Sequence, residues 1–170
     1  MSKLEKLPAI QGGKVHVVVE ASRGMTAKCK YDPQRGLFVL GKPLPHGLTY
    51  PFDWGFIPGT QGDDGDPLDA LVLHDAACPV GCLVECKPLA VLEVQQKEKG
   101  GKPQRNDRFL LRPDSDKTVK KDVLTPRLKE ELENFFRGVV LGGGKTLTFL
   151  GWKNAAVALR GIRAGAASLR

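Results

Sequence analysis

The chain has 170 residues, of which 41% are hydrophobic and 26% are charged, and its formal net charge is +7. This length and composition suit a single domain spanning residues 1–170 and exclude a compositionally disordered chain. No apolar run approaches the roughly 20 residues that cross a bilayer, and the first residues lack the apolar stretch of a secretory signal. We therefore expect a soluble, cytoplasmic protein with no membrane partner.

The first third of the chain predicts strands separated by turns. Residues 15–20 are rich in β-branched side chains and predict a strand. Residues 27–31 and 37–40 predict two more strands, joined as a hairpin by a turn that contains Pro and Gly. Residues 41–66 contain too many glycines and prolines for a long helix, but they also contain aromatic side chains. We expect a folded, partly buried loop, which is a common place for functional residues.

The middle of the chain predicts further strands. Residues 68–73 and 109–111 predict one strand each, and residues 83–94 predict one or two because Pro88 interrupts them. Residues 95–107 are polar and contain glycine, so we expect a loop there.

Two helices are predicted near the end. Residues 126–136 carry apolar side chains at helical spacing, and Thr125 is a good N-cap with proline after it. Residues 147–150 predict a strand, and Asn154 can cap a last helix. The order of elements indicates a mainly β protein with flanking helices, an α+β arrangement in which helices pack beside a small β-barrel.

The cysteines carry no recognised metal or redox motif. None belongs to a Cys-x-x-Cys pair, and the three histidines do not flank them at the spacing of common zinc sites. We therefore predict reduced, partly buried thiols. The four are Cys29, Cys78, Cys82 and Cys86.

The clearest chemical signal is a cluster of three carboxylates, Asp64, Asp66 and Asp69. Residues two apart in an extended chain point the same way, and Pro67 prevents a helix, so Asp69 can reach the same pocket from the next strand. Hard cations such as Mg²⁺ prefer oxygen ligands and are often held by one or two carboxylates and substrate phosphates. An ordinary acidic turn is the alternative, because Asp and Gly favour turns.

Upstream lysines and aromatic residues fit a phosphate site beside the acidic cluster. The positive net charge itself points to phosphate-bearing partners, either small anions or nucleic acid. Aromatic residues are only 6% of the chain, so nucleic acid is an unlikely partner. Each upstream residue alone would be a solvated lysine or a core ring, but together they could face the phosphate opposite the metal. These residues are Lys28, Lys30, Lys42, Tyr50 and Trp54.

A second glycine-rich segment resembles the end of a nucleotide-binding P-loop. Residues 142–146 read Gly-Gly-Gly-Lys-Thr, but Val139 occupies the position where the motif needs its first glycine. The motif also needs a following helix, whereas residues 146–150 predict a strand. A hairpin turn is the better interpretation.

Taken together, these motifs resemble the soluble family I inorganic pyrophosphatases. The resemblance is carried by residues 17–20, 50–58 and 64–72, and the last of these segments contains the family's Asp-Gly-Asp-Pro-x-Asp motif. Phe135-Phe136 and the closing Gly151-Trp152 also match. The resemblance implies an OB-like five-stranded β-barrel, Mg²⁺-dependent hydrolysis of pyrophosphate, and assembly as a homo-oligomer, either a hexamer or a dimer.

The resemblance also implies roles for individual residues. Asp64 and Asp69 would bind metal, Asp66 would deprotonate the attacking water, and Glu20 would support the metal shell. Substrate would be bound by Lys28, by Lys42 where the family has an arginine, by Trp54 where it has a tyrosine, and by Arg108 where it has a lysine.

Several family positions are replaced. Lys30 stands where the family has a glutamate, although its charge could take the place of one metal ion and bind phosphate. Gln96 and Asn106 align with two family aspartates, and Asp107 is the alternative to Asn106 as a metal ligand. Val139-Val140 stands where a tyrosine and a lysine grip the outgoing phosphate. These changes predict reduced or altered activity. The alternatives are a non-catalytic relative that binds metal, phosphate or a protein partner, and a hydrolase for another phosphorylated substrate.

Overall fold

The computed structural model describes Leu4, residues 7–120 and residues 122–168. Within these residues the chain forms ten strands and two helices. Their bounds are β1 Ile10–Gln11, β2 Lys14–Ala21, β3 Ala27–Asp32, β4 Leu37–Pro43, β5 Asp53–Ile57, β6 Leu68–Val72, β7 Leu83–Glu98, β8 Gln104–Arg105, β9 Arg108–Pro113, α1 Pro126–Val139, β10 Lys145–Asn154 and α2 Ala155–Ala167.

Five strands close into a barrel. Strand β2 pairs antiparallel with both β5 and β7, β5 pairs with β6, β6 runs parallel to β9, and β9 returns to β7. Strands β1, β8 and β10 extend this sheet, and β3 and β4 form a separate hairpin. The predicted OB-like five-stranded barrel is therefore confirmed, together with the mainly β class.

The two helices cover different hydrophobic clusters. Successive residues of a strand point to opposite faces of a sheet. Ala70 and Val72 accordingly pack in one cluster with Ile162 of α2, whereas Leu71 packs in the other with Phe136 of α1.

The helix caps form as predicted. The Thr125 hydroxyl accepts a hydrogen bond from the Leu128 N–H at 3.2 Å, and Asn154 Oδ1 accepts one from the Val157 N–H at 3.1 Å. Each bond satisfies one of the free N–H groups of a first helical turn. Among the described residues, no helix is both long and apolar enough to span a membrane.

Two expectations about loops are wrong. The segment from 41 to 66 contains strand β5, which runs between two prolines and is held by pairing to β2 and β6. At Gly55 a β-carbon would lie 2.0 Å from the Val18 carbonyl oxygen, so only glycine permits this pairing. The predicted loop from 95 to 107 also contains the end of β7 and all of β8, since Pro88 shifts the register of β7 instead of ending it.

Candidate active site

A cavity of about 530 Å³ opens beside the acidic loop. Of the ten side chains predicted for the site, five line it, and these come from strands β2, β3 and β6 and from the loop before β6. They are Glu20, Lys28, Lys30, Asp66 and Asp69. The structure therefore places acidic and basic side chains around one space large enough for a small anion.

The acidic loop is shaped by its own hydrogen bonds. The Gly62 N–H donates to the Asp66 carbonyl at 2.8 Å, and the Asp66 N–H donates to Asp64 Oδ1 at 3.2 Å. Gly65 adopts a φ of +85°, which favours glycine. The turn leaves Asp66 exposed and delivers Asp69 to the start of β6, where it is half-buried.

Each carboxylate that lines the cavity has a cationic partner. Lys28 Nζ lies 3.2 Å from Glu20 Oε2, and Lys30 Nζ lies 3.5 Å from Asp66 Oδ1. Arg108 Nη1 donates to Asp69 Oδ2 at 2.5 Å. The negative charge of the site is thus largely balanced by the chain's own side chains.

Burial, together with neighbouring acids, raises the pKa values of two carboxyl groups, Glu20 and Asp64. Burial is the largest cause of the raised pKa of Glu20, the charge of Asp69 adds to it, and Lys28 opposes it. Burial likewise raises the pKa of Asp64, with further contributions from Asp69 and Asp66, although Arg108 acts in the opposite direction. The charges of neighbouring acids thus add to the effect of burial, and a bound cation would lower both pKa values.

Arg108 is buried between the acids and the aromatic core. Its guanidinium carbon lies 5.4 Å from the Trp54 ring centre and 5.9 Å from that of Phe136. The Nη1 that donates to Asp69 also donates to the Asn106 side-chain oxygen. Arg108 Nε and Trp54 Nε1 are buried donors without an acceptor among the described residues.

The remaining predicted residues lie outside the main cavity. Asp64 and Asp107 line a smaller cavity of about 190 Å³ on the other side of the acidic loop. Asp107 accepts two hydrogen bonds from Arg105 and one from the Val94 N–H, so its oxygens are already engaged. Lys42 is exposed on β4.

Four of the replaced family positions carry no charge, namely Gln96, Asn106, Val139 and Val140. Asn106 Nδ2 lies 3.4 Å from Gln96 Oε1, so two neutral amides meet where two carboxylates were expected. Val139 and Val140 are half-buried at the end of α1. They provide neither a hydroxyl nor a charge to a ligand.

The donor set of the acidic loop suits a hard divalent cation. Its carboxylates supply only oxygen atoms, which Mg²⁺ prefers, and their mutual repulsion favours a bound cation. Among the described residues these carboxylates do not converge on one point, because Asp66 and Asp69 face the main cavity and Asp64 faces the smaller one.

A different group of potential metal ligands does converge on one point, and the sequence spacings typical of metal sites do not reveal it. One donor atom from each of Asp53, His74 and Cys78 lies within 4.8 Å of the other two. The gap between His74 and Cys78 matches no common zinc motif, and Asp53 comes from strand β5. The cysteine pattern itself is as predicted, since all four thiols are free and at least half-buried.

Comparison with known proteins identifies relatives along nearly the whole chain. The pattern of the inorganic pyrophosphatase family matches residues 17–170. A protein named inorganic pyrophosphatase from Thermus thermophilus is 34% identical over 180 aligned positions, covering 96% of each chain, and one from Synechocystis sp. is 33% identical over 156, covering 89% of each.

Solved structures agree with this assignment. The crystal structure of the inorganic pyrophosphatase from Thermus thermophilus superimposes with a TM-score of 0.87 at 30% identity, covering 99% of both chains. The enzyme from Helicobacter pylori superimposes with a TM-score of 0.81 at 26% identity, covering 92% of this chain and 93% of its own. The barrel, the acidic loop and these relatives lead to one assignment: the chain is a member of the inorganic pyrophosphatase family.

Proposed function

We propose that this protein hydrolyses inorganic pyrophosphate to two phosphates in the cavity beside the acidic loop. The proposal rests on one observation: Asp66, Asp69, Lys28 and Lys30 all line the same cavity. The chain that carries this cavity belongs to the inorganic pyrophosphatase family. The substrate is thereby assigned as a compact anion, and nucleic acid is not expected. We also expect a single domain over residues 1–170 and a homo-oligomer.

Substrate binding is assigned to the cations of the cavity. Lys28 and Lys30 each have an ammonium group facing the cavity, and both can donate to phosphate oxygens. Arg108 adds a buried positive charge behind Asp69. Trp54 and Lys42 are secondary candidates, because Trp54 Nε1 is buried and Lys42 is exposed away from the cavity.

Asp66 is the proposed base. Its side chain is 64% exposed, and the tight turn around Gly65 fixes its backbone beside the cavity. In this position Asp66 can accept a proton from water that attacks a phosphorus atom. Lys30, at 3.5 Å, would release Asp66 when it binds a phosphate oxygen.

Metal binding is proposed for Asp64 and Asp69, whose side chains would have to turn toward each other, with Glu20 in support and Asp107 available only once its hydrogen bonds to Arg105 and the Val94 N–H open. When bound there, Mg²⁺ would lower the pKa of the attacking water and neutralise charge on the transferred phosphoryl group. Before a metal ion binds, Asp69 is paired with Arg108 and Glu20 is paired with Lys28. These ion pairs hold the two carboxylates in place, and they must open for the carboxylates to bind the metal.

One observation favours reduced activity, or a relative that binds phosphate without hydrolysing it. Every carboxylate lining the cavity is paired with a cation, so a metal ion must compete with Lys28, Lys30 and Arg108. Two expected carboxylates are also amides, Gln96 and Asn106. Loss of one electrostatic stabiliser commonly costs on the order of 10²–10³ in rate.

The test is phosphate release by the wild-type protein. Pyrophosphate, a nucleoside triphosphate and a phosphomonoester are offered in turn, each with Mg²⁺ and with a chelator of divalent cations. The proposal expects release from pyrophosphate above the other substrates, and its loss on chelation. Equal or absent release from all three would reject the enzyme. Pyrophosphate binding without turnover would support the phosphate-binding alternative.

A further inference from the structure

The cluster of Asp53, His74 and Cys78 lies at the opposite end of the β5–β6 pair from the acidic loop. Asp53 begins β5 and pairs in register with Val72 at the end of β6. The segment after β6, residues 73–82, carries His74, Cys78 and Cys82 toward β7. Pairing of the two strands thus brings Asp53 next to His74 and Cys78, and Cys82 follows four residues later.

Asp53 is fully buried and is the centre of this cluster. Its Oδ1 accepts a hydrogen bond from the Arg23 N–H at 2.7 Å, and its Oδ2 accepts one from the Cys78 N–H at 2.8 Å. His74 Nε2 lies 2.7 Å from the same Oδ2. These contacts tie the segment after β6 to β5 and to the turn after β2.

The thiol of Cys78 lies within 4.8 Å of the Asp53 carboxylate, and the thiol of Cys82 is a further neighbour. Burial raises the pKa of Cys78 to about 12, and the neighbouring Asp53 and Cys82 add to the shift. A reactive cysteine needs a lowered pKa, so this environment does not suit a nucleophile or a redox thiol. It suits a buried thiol or a metal ligand, because a coordinated thiol loses its proton to the metal.

We propose that Asp53, His74 and Cys78 form a binding site for a borderline-soft divalent metal ion, with Zn²⁺ as the preferred ion and the neighbouring Cys82 as the candidate fourth ligand. Tetrahedral zinc with bonds of about 2.0–2.3 Å places its ligand atoms about 3.3–3.8 Å apart. The donor atoms of Asp53, His74 and Cys78 already lie within 4.8 Å of one another, so small side-chain adjustments bring these three to the spacing of zinc ligands.

The donor types distinguish this site from the acidic loop. Imidazole and thiolate favour Zn²⁺, whereas Mg²⁺ prefers oxygen ligands alone. A cavity of about 290 Å³ reaches the His74 side of the cluster, and its charged lining residues are Asp75, Lys120 and Asp122. The site is independent of pyrophosphate hydrolysis and would act by locking the segment after β6 to β5.

Binding requires an exchange of protons. Each thiol gives up its proton and becomes a thiolate ligand. His74 binds as the neutral imidazole through Nε2, so its remaining proton is carried on Nδ1, and its contact with Asp53 is replaced by metal bonds. Two protons leave for each Zn²⁺ bound, so zinc affinity must fall as the pH is lowered.

Cobalt provides a direct probe, because Co²⁺ bound by thiolate absorbs through charge transfer from sulfur. The reduced full-length protein is titrated with Co²⁺ in the presence of excess Mg²⁺. The Mg²⁺ competes for the carboxylates of the acidic loop, so that Co²⁺ does not bind there. We expect one Co²⁺ per chain with a sulfur charge-transfer band that Zn²⁺ abolishes. Absence of the band from the wild-type protein under these conditions overturns the proposal.

Variants then assign the ligands. Cys78→Ser and His74→Gln are expected to lose the band and the rise in melting temperature that Zn²⁺ gives the wild type. Cys29→Ser is the matched control, since Cys29 lies on the separate β3–β4 hairpin, and it should retain both. Loss of the band in Cys29→Ser, or its retention in Cys78→Ser, overturns the assignment. If Cys78→Ser fails to fold, Cys82→Ser supplies the same test.

Discussion

The two ends of the β5–β6 pair carry aspartates in opposite environments. At one end, Asp66 and Asp69 face a cavity and are paired with the side chains of Lys30 and Arg108. At the other end, Asp53 is fully buried and is held by backbone N–H groups and His74. Long cationic side chains can turn away to admit a ligand, whereas backbone donors cannot. The first end is therefore suited to binding and releasing a substrate, and the second to stabilising the fold, also when Zn²⁺ is bound there.

Removal of the buried carboxylate tests the second half of this comparison. We expect Asp53→Ala to destabilise the fold by about 3–5 kcal/mol, because two backbone N–H groups and His74 lose their acceptor in the interior. Urea unfolding in the presence of a metal chelator measures the effect. Asp75→Ala is the control, since Asp75 is fully exposed nearby and should change stability by less than about 0.5 kcal/mol. Equal losses would show that burial of Asp53 is not the cause.

The cationic partners at the cavity can be removed one at a time. Lys28→Met should lower kcat/KM for pyrophosphate by about 10–100-fold, the value of one charge-assisted hydrogen bond. Lys145→Met on β10, which breaks an exposed ion pair with Glu98 on β7, is the control. Steady-state kinetics in Mg²⁺ provide the measurement. A Lys28 variant as active as the control would remove Lys28 from the substrate site.

Reversal of one charge tests the competition between lysine and metal. Lys30→Glu should tighten Mg²⁺ binding by about 10-fold, because it removes a cation beside Asp66 and adds an oxygen ligand. Calorimetric titration compares it with Lys97→Glu, an exposed change on β7. Unchanged affinity in Lys30→Glu would place Lys30 outside the metal site.

The raised pKa of Glu20 predicts the smallest effect, a pH dependence of stability. The folded protein holds this proton to a higher pH than the unfolded chain, because burial and Asp69 penalise the charged form. The stabilisation is present in acid and is lost as the pH rises through the raised pKa. In a chelator, Glu20→Gln should therefore gain stability relative to wild type as the pH rises from acidic to neutral. A difference that is constant with pH would contradict this origin.

Local signals predicted much of the fold. The β-branched run of β2 and the caps Thr125 and Asn154 act through neighbouring residues, so the sequence pattern identifies them. Strand β5 was missed because its short segment lies between prolines and is held by partners far along the chain. A local sequence pattern carries no information about which distant strands will pair.

The acidic loop was predictable for the same reason, but its surroundings were not. Asp64, Asp66 and Asp69 lie within six residues, whereas Asp69 and Arg108 are 39 residues apart and meet only through the parallel pairing of β6 and β9. The cluster around Asp53 likewise needs the pairing of β5 with β6.

The most direct test of the central claim compares two aspartates of one loop. Asp66 lines the cavity and Asp63 does not, although both are exposed. We expect Asp66→Asn to reduce phosphate release from pyrophosphate in Mg²⁺ by about 10²–10⁴-fold, the usual contribution of a general base, without loss of stability, and Asp63→Asn to remain close to wild type. Equal rates in the two variants would contradict the role of Asp66 and the assignment of this cavity as the active site.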